Sequence, residues 1–330
     1  MHILSADDIR KAVPIAVAVD AVADAFAQLS TGRATVPLRV PIGQEQHDSH
    51  TFFMPALLAG SGADSAAALG LKIVSVFPHN AERHNLPTIH ALIALFEPAT
   101  GQALAVMDGR YLTALRTGAA SGAATRALAR TNAHTLAIFG AGVQAPFQVL
   151  AVCAVRPITR VLIVNRGRER AEQLCTTLVA AGVQAELRIV DAKTALAAAD
   201  VVCCATSSPA PIFDDADLRD GTHINGVGSF TPHMVEVPTA TLARARVFVD
   251  QHAAAWSEAG DLIAARAAGV LDESHTQELG AVIAGLVAGR RDDAEITFFK
   301  SVGNAVQDLA VAQIALTEAI RLGLGSEVRL

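Results

Sequence analysis

The stretch that most constrains the fold runs from His134 to Leu150 and reads HTLAIFGAGVQAPFQVL. A short apolar run, Leu136 to Phe139, stops at Gly140-Ala141-Gly142 and passes into a helix-compatible segment. Strand, tight glycine turn and helix start in this order open a doubly wound α/β unit, with Gly140, Gly142 and Ala145 spaced G-x-G-x-x-A. Gly140 permits the turn, Gly142 lets the backbone approach a pyrophosphate, and Ala145 lets helix and strand sit close. The free N–H groups and positive dipole end of the following helix favour bound phosphate. The ligand expected here is a dinucleotide.

The chain around this stretch divides in character. Downstream, VLIVNR (161–166), AELRIVD (185–191), DVVCCATSS (200–208), GTHINGVGSF (221–230) and ARVFVD (245–250) read as strands separated by helical segments. Right-handed strand–helix–strand crossovers give a doubly wound parallel sheet, a Rossmann domain. Upstream, residues 5–30 carry two helical patterns, the first capped by Ser5 and the second opened by Pro14. Extended stretches follow: TVPLRVPI, TFFMPALL and ALGLKIVSVF, then a hairpin of IHALIALFEP and QALAVMDG turning at Ala99-Thr100-Gly101. Tyr111 to Arg130 is helical, and Val302 to Leu322 is a long amphipathic helix expected to fold back on the N-terminal part. A chain of 330 residues favours two domains. The expected division is an α+β domain of 1–125 with 301–330, and a Rossmann domain of 126–300.

Composition narrows the partners. Net charge is −6 without a basic block, which argues against nucleic acid or an anionic membrane surface. Apolar runs break well before the length of a membrane span, and MHILSADDIRKAV has no basic flank ahead of an apolar core, so a cytoplasmic protein is expected. Cys153, Cys175, Cys203 and Cys204 lack metal-ligand spacing, and no H-E-x-x-H or G-x-S-x-G occurs. No metal site is expected.

The end of the second strand discriminates between dinucleotides. An acid there bonds the ribose hydroxyls of NAD, whereas arginine accommodates the 2′-phosphate of NADP. This chain has Asn165-Arg166, then Arg168 and Arg170, and no acid before Glu169. NADP(H) is the expected preference, with NAD(H) possible. Lys72 interrupts an otherwise apolar strand, where an ammonium is costly without a partner. It is either an edge lysine facing solvent or a cleft lysine that binds a carboxylate or moves a proton. Arg39 and Arg116 also stand in apolar surroundings, and with Lys72 they would form a clamp for a small carboxylate.

The pieces GLKIVSVFPHN, LFEPATG, LTALRTGAASGAAT, IFGAGVQA, VNR, ATSS, INGVGSFTPHMVEV and FFKSVGNAVQDLA, in this order, resemble the ornithine cyclodeaminase/μ-crystallin family over essentially the whole chain. The resemblance implies a homodimer. It implies that Arg39, Lys72 and Arg116 bind the substrate carboxylate, that Lys72 is catalytic, and that Thr88 lies at the cleft. It assigns cofactor contacts to Arg116, Thr117, Gly140, Gly142, Val143, Gln144, Asn165, Arg166, Thr206, Val227, Ser229 and Ser301, with Lys300 to Gly303 close to the nicotinamide.

One departure bears on the chemistry. Cyclodeaminases of the family carry G-D-x-P-G-K with an aspartate that handles the substrate amine, and this chain reads Gly228-Ser229-Phe230-Thr231-Pro232. Phe230 cannot accept a proton or bind an ammonium. The G-S-F-T-P version is similar to the ketimine reductase branch, with Phe230 as an apolar wall for the ring. The implied reaction is NAD(P)H-dependent reduction of Δ1-pyrroline-2-carboxylate or Δ1-piperideine-2-carboxylate to L-proline or L-pipecolate. The alternatives are an amino-acid dehydrogenase or cyclodeaminase acting on a primary amine, and a non-catalytic NADPH-dependent small-ligand binder of μ-crystallin type.

Overall fold

The structure is a computed structural model that describes residues 1–60 and 67–329. The chain forms two compact units, Met1–Arg116 with Asn304–Leu330, and Thr117–Gly303. The first division falls inside the unbroken helix Gly109–Leu128, earlier than residue 125. The helix runs on through the division, which falls two residues before Gly118.

In the first unit a sheet orders its strands Ser326–Glu327, His2–Leu4, Ala103–Asp108, Ile89–Phe96, Ala68–Val76, Ser49–Leu58 and Ala34–Thr35, with Val40–Gln44 also on Ser49–Leu58. Pairing is antiparallel except between His2–Leu4 and Ala103–Asp108. The expected hairpin forms, turning through Gly101 at φ +74. The expected strand TVPLRVPI does not form as one piece. It splits into Ala34–Thr35 and Val40–Gln44, with Val36 to Arg39 in neither. Pro37 falls in that gap, while Pro41 pairs with Phe52 inside Val40–Gln44.

Ser5 caps the helix Ala6–Ala12 in a reciprocal box with Asp8. The final helix, Ala305–Leu322, begins after Asn304 rather than at Val302. It packs on the helix Ile15–Ser30 and over the strands Ser49–Leu58 and Ala68–Val76. Its buried stripe of Ala305, Leu309, Ala312, Leu316 and Ala319 follows the 3.6-residue period. In the strand Ala68–Val76 the buried residues are Ala68, Gly70 and Lys72, so the period of two puts Lys72 on an interior face. The question of an edge lysine against a buried one is thereby decided by parity.

In the second unit eight strands lie parallel in the order Glu186–Ile189, Arg160–Val164, Thr135–Phe139, Val201–Cys204, His223–Gly226, Thr297–Lys300, Arg246–Val249 and Thr276–Glu278. The chain builds outward from Thr135–Phe139 in one direction and then returns to its other side at Val201–Cys204. That reversal creates a crevice at the carboxyl ends of these two strands, where doubly wound sheets bind ligands. Thr297–Lys300, the last strand of this unit in sequence, inserts between His223–Gly226 and Arg246–Val249. Apolar clusters cover both sheet faces, one around Phe139, Val202, Ile224 and Phe298, the other around Ile138, Val149, Ile163 and Leu174.

Candidate active site

In the first unit three charged side chains converge under the final helix. Lys72 Nζ lies 2.7 Å from Asp308 Oδ2, and both side chains are buried. Arg116 Nε donates to Asp308 Oδ1 at 2.9 Å, and its Nη1 donates to Gln307 Oε1 at 2.7 Å. One carboxylate thus holds two cations, which leaves the cluster net positive and suited to an anionic ligand. Burial lowers the Lys72 pKa from 10.5 to about 8, and repulsion from Arg116 adds to this while Asp308 opposes it. Arg39 contributes a weaker repulsion, and its guanidinium stacks over Phe52 at 5.6 Å from the ring centre. The structure therefore brings Lys72 and Arg116 together, with Arg39 near enough to act on the amine. Thr88 is exposed, and its carbonyl accepts from the Phe77 N–H at 2.8 Å.

In the second unit the glycine loop has the shape its sequence requires. Gly140 adopts φ +98, and a Cβ there would stand 2.6 Å from the Ala205 carbonyl oxygen. A Cβ on Gly142 would meet nothing within 4 Å, so this backbone faces open space that a ligand is free to approach. Asn165, at the end of the second strand, accepts the Ala141 N–H at 3.2 Å and donates to the Gly167 carbonyl at 2.7 Å. Its amide thus ties the glycine loop to the loop beyond it. Val143 is 74% exposed beside Gly142, and Gln144 precedes the helix Ala145–Val155. Arg166 and Arg170 are exposed, while Arg168 is paired with Glu172 at 2.8 Å.

Three buried carboxylates organise the neighbouring loops. Glu236 Oε1 accepts from the Thr206 N–H at 2.6 Å and the Thr206 hydroxyl at 2.8 Å. Its Oε2 accepts from the N–H groups of Gly228 at 2.8 Å and Ser229 at 3.0 Å. Burial raises the Glu236 pKa, with Lys300 acting in the opposite direction. Asp261 pairs with Lys300 Nζ at 2.8 Å, both fully buried, and accepts the Glu236 and Val237 N–H groups. Asp250 accepts from the Ser301 hydroxyl at 2.8 Å and from the Val302 and Gly303 N–H groups.

The residues present fit a dinucleotide. The open backbone at Gly142 and the helix start behind it suit a pyrophosphate. Among the described residues, the buried Gln144 Oε1 and Ser229 Oγ meet no protein partner, so both are available to a ligand.

A profile of the ornithine cyclodeaminase/mu-crystallin family matches residues 1–321. The chain belongs to this family. Among its relatives, a Δ1-pyrroline-2-carboxylate reductase of Bacillus cereus is 38% identical over 332 aligned positions, covering 99% of each chain. Among solved structures, Thermococcus litoralis Δ1-pyrroline-2-carboxylate reductase in complex with NADH and L-proline is 37% identical with a TM-score of 0.91, covering 99% of this chain and 100% of that one. An archaeal alanine dehydrogenase dimer with bound NAD is 34% identical with a TM-score of 0.91, covering 100% of this chain and 99% of that one. With close full-length relatives that are reductases, the protein is a nicotinamide-dependent oxidoreductase.

Within this family member the assigned cofactor positions differ in what they are free to do. Arg116 is engaged by Asp308 and Gln307, and the Ser301 hydroxyl by Asp250. Thr117 and Val227 are buried; the Thr117 carbonyl accepts from the Gln148 side-chain amide, and the Val227 N–H donates to the Cys204 carbonyl. Phe230 is 38% exposed on a loop whose preceding amides are fixed. Asp308 is the residue that sequence pattern alone does not single out. Its signal is there in AVQDLAVAQIAL, where the acid falls on the apolar stripe of the helix.

Proposed function

We propose that this protein reduces a cyclic imino acid, Δ1-pyrroline-2-carboxylate or Δ1-piperideine-2-carboxylate, to L-proline or L-pipecolate. The observation that carries the reading is the buried set of Lys72, Arg116 and Asp308, a net positive seat for one small carboxylate. The names of the relatives, and the L-proline in the Thermococcus litoralis complex, support the same substrate class.

Lys72 and Arg116 bind the substrate carboxylate and fix the ring, with Arg39 closing the clamp. When bound, a reduced nicotinamide supplies the hydride that reaches C2. The C=N π bond breaks, and its electron pair ends on nitrogen as an N–H bond. For a neutral imine the proton comes from Lys72, whose pKa of about 8 keeps it protonated at neutral pH yet ready to release. Phe230 offers no base at its position, which disfavours deamination of a primary amine.

Asn165-Arg166 support NADPH over NADH, because no acid at the strand end repels a 2′-phosphate and the exposed Arg166 is able to meet it. A homodimer is supported by exposed Leu38, Val40, Ile42, Leu57, Ile89 and Leu92 in the first unit, apolar side chains that a second copy would cover. A cytoplasmic location accords with the need for a reduced nicotinamide pool.

The test follows loss of reduced-nicotinamide absorbance with purified protein and each imine, using NADPH and NADH. L-alanine and L-ornithine with the oxidised cofactors serve as comparison. Imine-dependent oxidation is expected; its absence with both cofactors overturns the proposal, and turnover of L-alanine alone replaces it with a dehydrogenase.

A further inference from the structure

Asn304 caps the final helix, yet its side chain makes no capping bond. An asparagine in this position ordinarily satisfies an N–H of the first helical turn with its own oxygen. Here the residue is 3% exposed, and among the described residues neither Oδ1 nor Nδ2 meets a protein partner. Burying an amide with both ends unmet costs stability, and native proteins rarely retain such a group without a use for it.

Its position supplies the use. Asn304 is the extended N-cap residue of the helix whose first turn carries Asp308, so the chain sets the two about one turn apart. Asp308 holds Lys72 and Arg116, the cations assigned to the substrate carboxylate. In an α-imino acid the nitrogen sits on the carbon that bears the carboxylate. A buried amide about one turn from the carboxylate seat is within reach of a ring held there. An amide suits both ends of this arrangement, since its oxygen accepts an N–H and its nitrogen donates to a carboxylate oxygen. A carboxylate in its place would offer no donor, and an aliphatic side chain would offer neither.

We infer that Asn304 recognises the ring nitrogen of the substrate, with Oδ1 accepting the N–H of the iminium or of the product amine while Nδ2 faces the carboxylate. The inference rests on the imine-reductase reading for the identity of the ring. Asn304 is then the residue that distinguishes an α-nitrogen ligand from a plain cyclic carboxylate. Lys72 and Arg116 hold the carboxylate common to both.

The experiment compares L-proline with cyclopentanecarboxylate, which keeps ring and carboxylate but replaces the N–H by CH2. Each is titrated calorimetrically into the NADH-loaded protein, beside NADH itself and thermal unfolding. Wild type is expected to prefer L-proline by about 10-fold or more. Asn304→Leu is expected to bring that ratio close to one while NADH affinity holds. Asn304→Asp retains the acceptor and is expected to keep the preference, which controls for misfolding of the leucine variant. An unchanged ratio in Asn304→Leu overturns the inference, as does a loss confined to NADH affinity. Loss of the ratio in both variants overturns it too, because the acceptor would then be irrelevant. Imine turnover by wild type is measured in parallel. No turnover with the proline preference intact faults the reductase reading and leaves Asn304 assigned.

Discussion

Lys72 and Asp308 form a buried ion pair at 2.7 Å, one residue from the middle of a strand and the other from the first turn of the last helix. Removing the acid leaves two cations without compensation in a dry environment. Asp308→Asn is expected to lose about 3 kcal/mol or more of stability, as breaking a buried pair does. Denaturant unfolding of the variant checks this, and a loss no larger than that of a surface substitution would show that the pair is not what holds the helix end.

Lys72 links activity to pH. With its pKa near 8, the amine loses its proton as pH rises through that value, and carboxylate binding and proton delivery weaken together. KM for the imine and Kd for L-proline are expected to rise above about pH 8. Lys72→Arg, permanently charged, should flatten the binding limb, and Lys72→Ala should lose about 100-fold or more in kcat/KM. Wild-type rates in the alanine variant would remove Lys72 from the chemistry.

The same shift has a stability consequence of opposite appearance. The folded pKa of about 8 lies below the ordinary 10.5, so between these values the unfolded chain holds the additional proton. The cost of burying the charged amine is present in full below pH 8 and is relieved as pH rises toward 10.5. Relative to Lys72→Met, wild type should therefore gain stability across that window. A difference that stays constant with pH would contradict the burial argument.

The two loop glycines should separate folding from cofactor binding. Gly140→Ala forces a left-handed φ of +98 on a residue with a Cβ and drives that atom against the Ala205 carbonyl, so melting temperature and cofactor affinity should both fall. Gly142→Ala meets no protein atom within 4 Å, so thermal unfolding should be unchanged while NADH binding weakens. Equal melting losses in the two variants would mean that Gly142 serves the fold rather than the ligand.

Arg166→Ala is expected to lower the NADPH-to-NADH ratio of kcat/KM by about 10-fold, the scale of a lost charged hydrogen bond. An unaltered ratio would assign the exposed guanidinium to solvent.

Much of this molecule is written locally in its sequence. The glycine turn after Leu136–Phe139, the Ser5–Asp8 capping box and the hairpin at Gly101 each depend on a few adjacent residues, and each forms as the pattern predicts. What pattern alone leaves out is long-range. Thr297–Lys300 ends in a lysine, and its place inside the sheet between His223–Gly226 and Arg246–Val249 is set by partners distant in sequence. Lys300 is buried only because Asp261 waits for it. Asp308 likewise becomes legible once Lys72 and Arg116 are known to lie beneath it. TVPLRVPI splits at a gap that contains Pro37 while Pro41 stays inside a paired strand, so proline content alone does not place the break.

The loop carrying Phe230 is held by main-chain donors, the N–H groups of Gly228 and Ser229, both received by Glu236. Such an anchor is indifferent to the side chain that follows it. A change of codon at 230 alters what the loop presents without asking the scaffold to rebuild. Diversification of chemistry is thereby uncoupled from the risk of misfolding, and Glu236, which receives the main-chain N–H groups of Gly228 and Ser229, is what confers that latitude.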